Sequence, residues 1–303
     1  MVLDNSLSFN YFFYNLVVSL PFEVDFLYPI NEKADIYFTF DENIRFPKNC
    51  PTRDIWSLSN INKAFFYNKN IGLFEISNGK NVKLSLNEEI SKEEIIKNFL
   101  FTPMALVLFQ RRNLVIHASA SVVNSHAYLF IGMSGYGKST ILLELMKKGH
   151  KMLSEDVSAI SFSNGAKLQP SFPLIKINRT ISNTKEVSAS INNIKEDERN
   201  RKIYKVKDEF HFNSPVKVNS CFLINPIKGK TEIKEINNGK KIFFQMYKNI
   251  WRQVPVTSCL ESQKQVMQNI SNLIKEVKFF ELSLSLKISD SAGYIQNHID
   301  ENL

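Results

Sequence analysis

Cysteine is scarce in this sequence. Cys50, Cys221 and Cys259 are its only three, widely separated and without metal-binding spacing. An odd, scattered set of this kind argues against a disulfide framework and reads as the reduced thiols of a cytoplasmic protein. A long hydrophobic run is also missing. A membrane-spanning helix needs roughly 18–20 uninterrupted apolar residues, and the best candidate, Tyr11–Leu20, is interrupted by Asn15 and Ser19 and closed by Pro21. Asp4 precedes it where a secretory leader would carry Lys or Arg, so a buried strand pair is expected there. Internal repeats and low-complexity tails are absent. So is a contiguous basic stripe: the net charge is +8, but bases and acids alternate along the chain. The densest basic stretch, Arg199–Lys207, is flanked by Glu196, Asp197, Glu198 and Asp208. That pattern fits a solvated face or an anionic-substrate patch better than a nucleic-acid groove. Neither nucleic acid nor a membrane is expected as a partner.

What remains is an ordinary globular composition, 44% hydrophobic and 22% charged over 303 residues, enough for one large domain or two modest ones. Residues 1–90 look β-rich. Apolar and aromatic runs such as Ile36–Phe40 and Ile71–Ile76 are separated by turn clusters at Asp41-Glu42-Asn43, Pro47-Lys48-Asn49 and Ser77-Asn78-Gly79. Ser91 and Glu94 resemble a capping box opening a helix through Phe109, with Pro103 dividing it or breaking it into two. Leu114–Val123 reads as a strand that turns near Asn124–Ser125. Ala127–Ile131 is a short continuous apolar run, the mark of a strand buried on both faces. Lys138–Lys148 follows as a helix with Gly149 at its C-cap, and a short strand over Lys151–Ser154 completes a βαβ unit. Val157–Phe162, Leu174–Ile177, Lys202–Lys207 and Ser220–Ile224 are expected strands, and Asn178–Asn200 is ambiguous between loop and helix. The C-terminal part reads as more helical, over Leu260–Leu273 and Ser289–Leu303.

Between the apolar strand and the helix lies Gly132-Met133-Ser134-Gly135-Tyr136-Gly137-Lys138-Ser139, which fits G-x-x-x-x-G-K-[ST]. By chance a chain of this length matches that pattern at roughly the 1% level. Each part has a physical reason. Glycines allow positive φ and close approach of the backbone to phosphate oxygens. Successive amides aimed inward make an anion nest, and the helix adds its positive dipole end. Lys138 should reach the β- and γ-phosphates and Ser139 should ligate Mg²⁺, with Thr140 as the next hydroxyl near the α-phosphate. Gly132, Ser134, Gly135, Tyr136, Gly137, Lys138, Ser139 and Thr140 are therefore the candidate residues for binding ATP or another nucleoside triphosphate.

Three flanking segments carry a resemblance: Ile116-His117-Ala118-Ser119-Ala120, Phe130-Ile131-Gly132 through Thr140, and Lys148-Gly149-His150-Lys151-Met152-Leu153-Ser154-Glu155-Asp156. Together with Pro170–Ile177 they resemble the HPr serine kinase/phosphorylase family, including the HPr-kinase-like kinases of lasso-peptide gene clusters. The resemblance spans about residues 98–180 and weakens toward the C-terminus. It implies an α/β P-loop kinase domain related to HPr kinase and phosphoenolpyruvate carboxykinase over residues 98–303, preceded by a β-rich N-terminal region over 1–97. It implies an ATP- and Mg²⁺-dependent kinase acting on a serine or other hydroxyl of a peptide, protein or small metabolite. A homo-oligomer is implied as well, the family's true kinases being hexamers.

By the same resemblance Lys138, Glu155, Asp156 and His117 are the candidate catalytic residues. Glu155 falls at the position of the general base and Asp156 at that of the second acid near the metal, beside Ser139. The usual pair is two aspartates, so either the longer Glu155 reaches differently or Asp156 takes the base's role. The residues agree with this placement: acids after Lys151–Ser154 would lie at the carboxyl edge of the sheet, beside the phosphates. His117 reads either as a contact to phosphate or carboxylate or as a satisfied strand histidine. Arg199, Arg201 and Lys202 read as a solvated basic face or as a contact to a phosphate or an acidic substrate. The family's later signature, rich in Glu, Arg and Gly, is not found, which speaks against the phosphorylase reaction and against HPr as substrate. A nucleotide-binding regulatory module that transfers nothing is the competing reading.

Overall fold

The aromatic alternation of the first ninety residues folds into a single seven-stranded sheet. The computed structural model describes residues 7–45, 56–178, 184–190, 201–251, 259–285 and 288–301; Cys50, the turn at 47–49 and Arg199 lie outside them. The strands are β1 (Phe9–Phe13), β2 (Leu16–Leu20), β3 (Ile36–Phe40), β4 (Trp56–Asn60), β5 (Lys63–Asn68), β6 (Gly72–Ser77) and β7 (Asn81–Leu86). Their order is β1-β2-β3-β7-β6-β5-β4. The apolar run at Tyr11–Leu20 is the β1–β2 hairpin, turning through Tyr14 and Asn15 at φ 56° and 57°. Two successive residues in that region suit the twist of a tight hairpin.

Two helices follow, α1 (Lys92–Leu100) and α2 (Thr102–Gln110). The Ser91 hydroxyl accepts from the Glu94 amide at 3.3 Å, capping α1. Pro103 stands in the first turn of α2, where its missing N–H costs no helical hydrogen bond; this is the two-helix form of the expected single span. Every residue of α2 is buried. A helix apolar all round belongs inside a core, and α2 packs against β5 and β6 on one side and against β8 (Leu114–Val123) and β11 (Val157–Ser161) on the other. The principal hydrophobic core is consequently continuous from the N-terminal sheet into the second one.

The second sheet is built around β8. It contains β9 (His126–Ile131), β10 (Lys151–Ser154), β11, β12 (Lys167–Leu168), β16 (Val216–Ile227), β17 (Glu232–Glu235) and β18 (Lys278–Ser285). The distal half of β8 pairs with β9 on one side and β10 on the other, both antiparallel, while its first half pairs with β11. Strands β9 and β10 thus run in the same direction with β8 between them. The βαβ unit read from the sequence is present through α3 (Lys138–Lys147), with an antiparallel strand inserted at its centre. Strand β9 also pairs in parallel with β16, and β16 with β18.

A small sheet, β13 (Leu174–Asn178), β15 (Arg201–Val206) and β14 (Val187–Ser190), packs on α3 through Ile175, Ile177, Val187, Tyr204 and Val206. Within the ambiguous 178–200 span, residues 187–190 are therefore strand. The expected helices near the C-terminus are α5 (Leu260–Glu276) and α6 (Ile288–Glu301), preceded by α4 (Gly239–Lys248). Helix α4 and strand β18 are additions to the sequence reading. Strand β18 is visible in retrospect as alternation of buried and part-exposed residues along Phe280–Ser285.

His211 ties the two halves together. It is 6% exposed, stacks on Tyr28 at 5.6 Å, and neither ring nitrogen has a hydrogen-bond partner among the described residues. Burial pushes its imidazole down to about 4. The unfolded chain therefore binds an extra proton between about pH 4 and 6.5, and stability rises with pH through that window. Denaturant unfolding should show the native protein losing about 2 kcal/mol between pH 7.5 and 5 on this account. A His211→Phe variant, which keeps the stacked ring, should lack that component.

Candidate active site

The strand-to-helix turn at Gly132–Ser139 closes as the sequence pattern requires. Gly135 and Gly137 sit at φ 92° and 90°, a region costly for residues with a Cβ. At Gly137, the N-cap of α3, a Cβ would also lie 2.7 Å from the terminal methyl of Ile288, which would have to shift. Lys138 is 6% exposed and its ammonium donates to the carbonyls of Gly132 and Met133 at 2.8 and 3.1 Å, across the mouth of its own loop.

The two acids occupy a reversal between β10 and β11. Asp156 has φ 66°, and the Val157 amide donates to the Glu155 carbonyl at 2.8 Å. This is a three-residue turn of the uncommon positive-φ kind, a conformation that costs energy and clusters at functional sites. Both arms of the turn pair with β8, so the acids hang over residues 117–119 of that strand. Residues two apart on a strand share a face, and here each meets one acid. The Ser119 hydroxyl donates to the Oε2 of Glu155, and the Nδ1 of His117 lies 2.9 Å from the Oδ1 of Asp156. The other oxygen of each carboxylate is also engaged. The Ser139 hydroxyl donates to Glu155 Oε1 at 2.5 Å, and the Lys176 ammonium is 2.9 Å from Asp156 Oδ2. Lys176 itself rests 3.9 Å above the ring of Phe101.

These surroundings drive the two carboxyls apart. Burial, reinforced by the neighbouring Asp156 charge, raises Glu155 above the usual carboxylate range against its two hydroxyl donors and Lys138. Burial also opposes ionisation of Asp156, but the Lys176 charge and His117 outweigh it and hold Asp156 well below that range. Adjacent carboxyls with separated titrations are the usual basis for dividing acid and base duties.

A cavity of about 310 Å³ brings these groups together. His117, Glu155 and Asp156 line it with Ser134, Gly135, Gly137, Lys138, Ser139 and Thr140. Lys176, Arg201 and Ile288 complete the wall. Gly132 and Tyr136 do not line it: with Ile131 and Met133 they border a second cavity, shared with Lys241, Gln245, Lys248 and Asn249. Lys202 is on β15 but does not line the first cavity.

Sequence reasoning assigned no role to Ser119, Lys176 or Tyr14. Strand alternation from His117 points to Ser119. Nothing in the sequence marks Lys176 beyond its position in the Pro170–Ile177 segment. Tyr14, at the tip of the β1–β2 hairpin, donates its hydroxyl to the Val157 carbonyl at 2.7 Å, directly beneath the acid turn.

The chain is thus a mixed α/β protein with a β-rich N-terminal region and a glycine-lysine-serine loop facing an acid pair. Among known proteins it is similar, at 40% identity over 62 residues, to the HPr kinase/phosphorylases of Thermoanaerobacter sp. (strain X514) and Thermoanaerobacter pseudethanolicus (strain ATCC 33223 / 39E). The match covers 20% of this chain and 20% of each relative. No family model matches. The solved structure of the Hpr(Ser) kinase/phosphatase from Coxiella burnetii aligns with 62% of this chain and 97% of its own, at 12% identity and a TM-score of 0.33. No helix among the described residues is long and apolar enough to cross a membrane.

The steric reading of Gly137 is directly testable. Gly137→Ala should cost about 1–2 kcal/mol from backbone strain alone, with a further loss from the Ile288 contact, read as a lowered thermal midpoint. The same substitution at Gly149, where a Cβ meets nothing within 4 Å, carries only the backbone part.

Proposed function

We propose that this chain is an ATP-dependent kinase that transfers the γ-phosphoryl group to a serine or other hydroxyl of a peptide, protein or small molecule. The observation that carries the reading is the convergence on one cavity of the Lys138 ammonium, the Ser139 hydroxyl and two acids in opposite electrostatic settings. In this reading residues 98–303 are the HPr-kinase-like P-loop domain and residues 1–97 its β-rich support. A cytoplasmic location and a homo-oligomer accompany it.

The role of each residue follows from its contacts. Amides of the loop and the α3 N-terminus bind the polyphosphate, and Thr140 lies toward the α-phosphate. Lys138 exchanges the Gly132 and Met133 carbonyls for β- and γ-phosphate oxygens. Ser139 and Glu155 offer adjacent hard oxygens, a donor set that fits Mg²⁺, which keeps several waters and takes one or two protein oxygens beside those of the substrate phosphates. When bound there, Mg²⁺ would neutralise charge on the β- and γ-phosphates. In this reading the metal sits beside Glu155 rather than Asp156, and Asp156 acts on His117 instead of taking the base's role itself.

Asp156, held strongly ionised, is a weak proton acceptor. Paired with His117 Nδ1 it instead orients the ring, as a carboxylate does in a hydrolase triad. The remaining ring nitrogen of His117 takes the acceptor's proton. The acceptor oxygen then bonds to the γ-phosphorus, the bond to the β–γ bridging oxygen breaks, and ADP departs. Lys176 fixes the far side of Asp156, and Arg201 lies in the same wall.

Lys138→Ala should lower transfer from ATP by roughly 10³-fold or more, because it removes a charge that stabilises the transferred group. Chelation of Mg²⁺ should stop turnover. Asp156→Asn and His117→Ala should each reduce kcat by about 10²–10⁴-fold while nucleotide affinity, measured calorimetrically, stays near the native value. The longer acid at 155 favours the competing reading, a nucleotide-binding module without transfer. That reading gains the field if Glu155→Gln and Asp156→Asn proteins bind ATP and retain the full biological output.

A further inference from the structure

The second cavity, about 530 Å³, lies between the phosphate loop and α4. Its position is set by the Lys138 ammonium. That group rests on the Gly132 and Met133 carbonyls, and in a phosphate loop it attends the β–γ end of the polyphosphate. Gly132 and Met133 also line the second cavity, so this space adjoins the terminal phosphate. The first cavity holds Thr140 and Ile288 together with Lys138 and the two acids. A further tie joins the second cavity to the acids. Asn249, in its wall, accepts the His117 amide on its backbone carbonyl at 2.8 Å.

The lining has the character of a peptide-binding groove. Lys241, Gln245, Lys248 and Asn249 occupy one face of the helical segment of α4 and its C-cap, at the spacing that aligns side chains along a helix. The side-chain amides of Asn225 and Gln245 have no hydrogen-bond partner among the described residues and can serve peptide N–H and C=O groups. Charge is unbalanced: Glu281, the one acid in the wall, is held by Lys241 at 2.6 Å, and Lys248 is exposed with no acidic partner among the described residues. Helix α4 carries Lys240, Lys241 and Lys248 and no acid. Met133, 64% exposed, adds apolar surface at the loop side.

We propose that this cavity is the acceptor site and that it selects a short peptide segment carrying a serine among acidic residues, with Lys248 reading the acidic flank. The inference rests on the kinase reading above and adds the location and charge preference of its substrate. An acceptor entering here approaches the terminal phosphate from the α4 side, next to the strand position of His117, whose amide bonds the Asn249 carbonyl.

The test uses the full chain, Mg²⁺, γ-labelled ATP and arrayed short serine peptides with acidic, neutral or basic flanks. The native protein should label the acidic set at least about tenfold faster than the neutral set. Lys248→Glu should abolish or invert that preference, with nucleotide affinity and acceptor-free ATP hydrolysis unchanged. Gln245→Ala should raise KM for acidic peptides with kcat retained, the mark of lost ground-state binding. Three results would overturn the inference while leaving the kinase reading standing: labelling without regard to flank charge, an unchanged peptide profile in Lys248→Glu, or labelling of free hydroxy acids alone. Failure of the native protein to bind ATP would remove both readings, and binding without transfer to any peptide would remove the acceptor site alone.

Discussion

The contact between Ser139 and Glu155 joins the two elements on which this site depends. Ser139 lies in the first turn of α3, which follows β9, and Glu155 directly follows β10; β9 and β10 lie on opposite sides of β8. Had the strand after α3 run antiparallel to β9, its terminal acids would have emerged at the opposite edge, a strand length from the loop. The same edge is reached because β8 lies between β9 and β10 and is antiparallel to both, so that the two run in the same direction. A single antiparallel strand thereby does what a parallel neighbour does in open α/β sheets, bringing carboxyl ends together where ligands bind.

Strand β8 has a second duty. Its side chains at 117 and 119 differentiate two acids that are neighbours in sequence. Glu155 meets hydroxyls, which favour its charge only weakly against burial, whereas Asp156 meets an imidazole and an ammonium. Adjacent carboxylates repel when both are ionised, and one way to relieve this is to let one stay neutral until a cation arrives. Burial and the Asp156 charge both raise Glu155 above the usual carboxylate range, which acts in that direction. The asymmetry is thus built from the groups that each carboxylate meets rather than from the identity of the acids.

Much of this was legible in the sequence, and what was not has physical causes. The loop was readable because positive φ and a buried amide nest restrict residue choice to glycine at Gly135 and Gly137. The helix at Lys138 and its Gly149 terminus follow from 3.6-residue spacing and a left-handed C-cap, and both are present. The break at Pro103 was readable for the same local reason. Lys176 was not, because its importance depends on β13 crossing over α3 and reaching Asp156, a contact between residues 20 apart that no period encodes. The Tyr14 contact spans 143 residues, and a tyrosine at a hairpin tip carries no local sign of what its hydroxyl will meet. Strand β18 was overlooked for another reason: its flanking helices dominate the pattern on either side.

That Tyr14 contact also ties the site to the β-rich N-terminal region. The turn at Glu155–Asp156 holds a non-glycine residue at positive φ, a conformation that relaxes unless its surroundings forbid it. Pairing with β8 restrains the two arms, and the Tyr14 hydroxyl fixes the Val157 carbonyl just past the bend. Tyr14 is itself immobilised by edge-on packing of Phe13 and Phe172, and the ring of Phe101, which also packs on Phe172, supports Lys176. The same aromatic cluster therefore braces the acid turn from beneath and positions the cation on its outer oxygen. A loosened hairpin would affect both at once, so the N-terminal sheet acts on the site through the geometry of Asp156 without contributing a residue to the cavity.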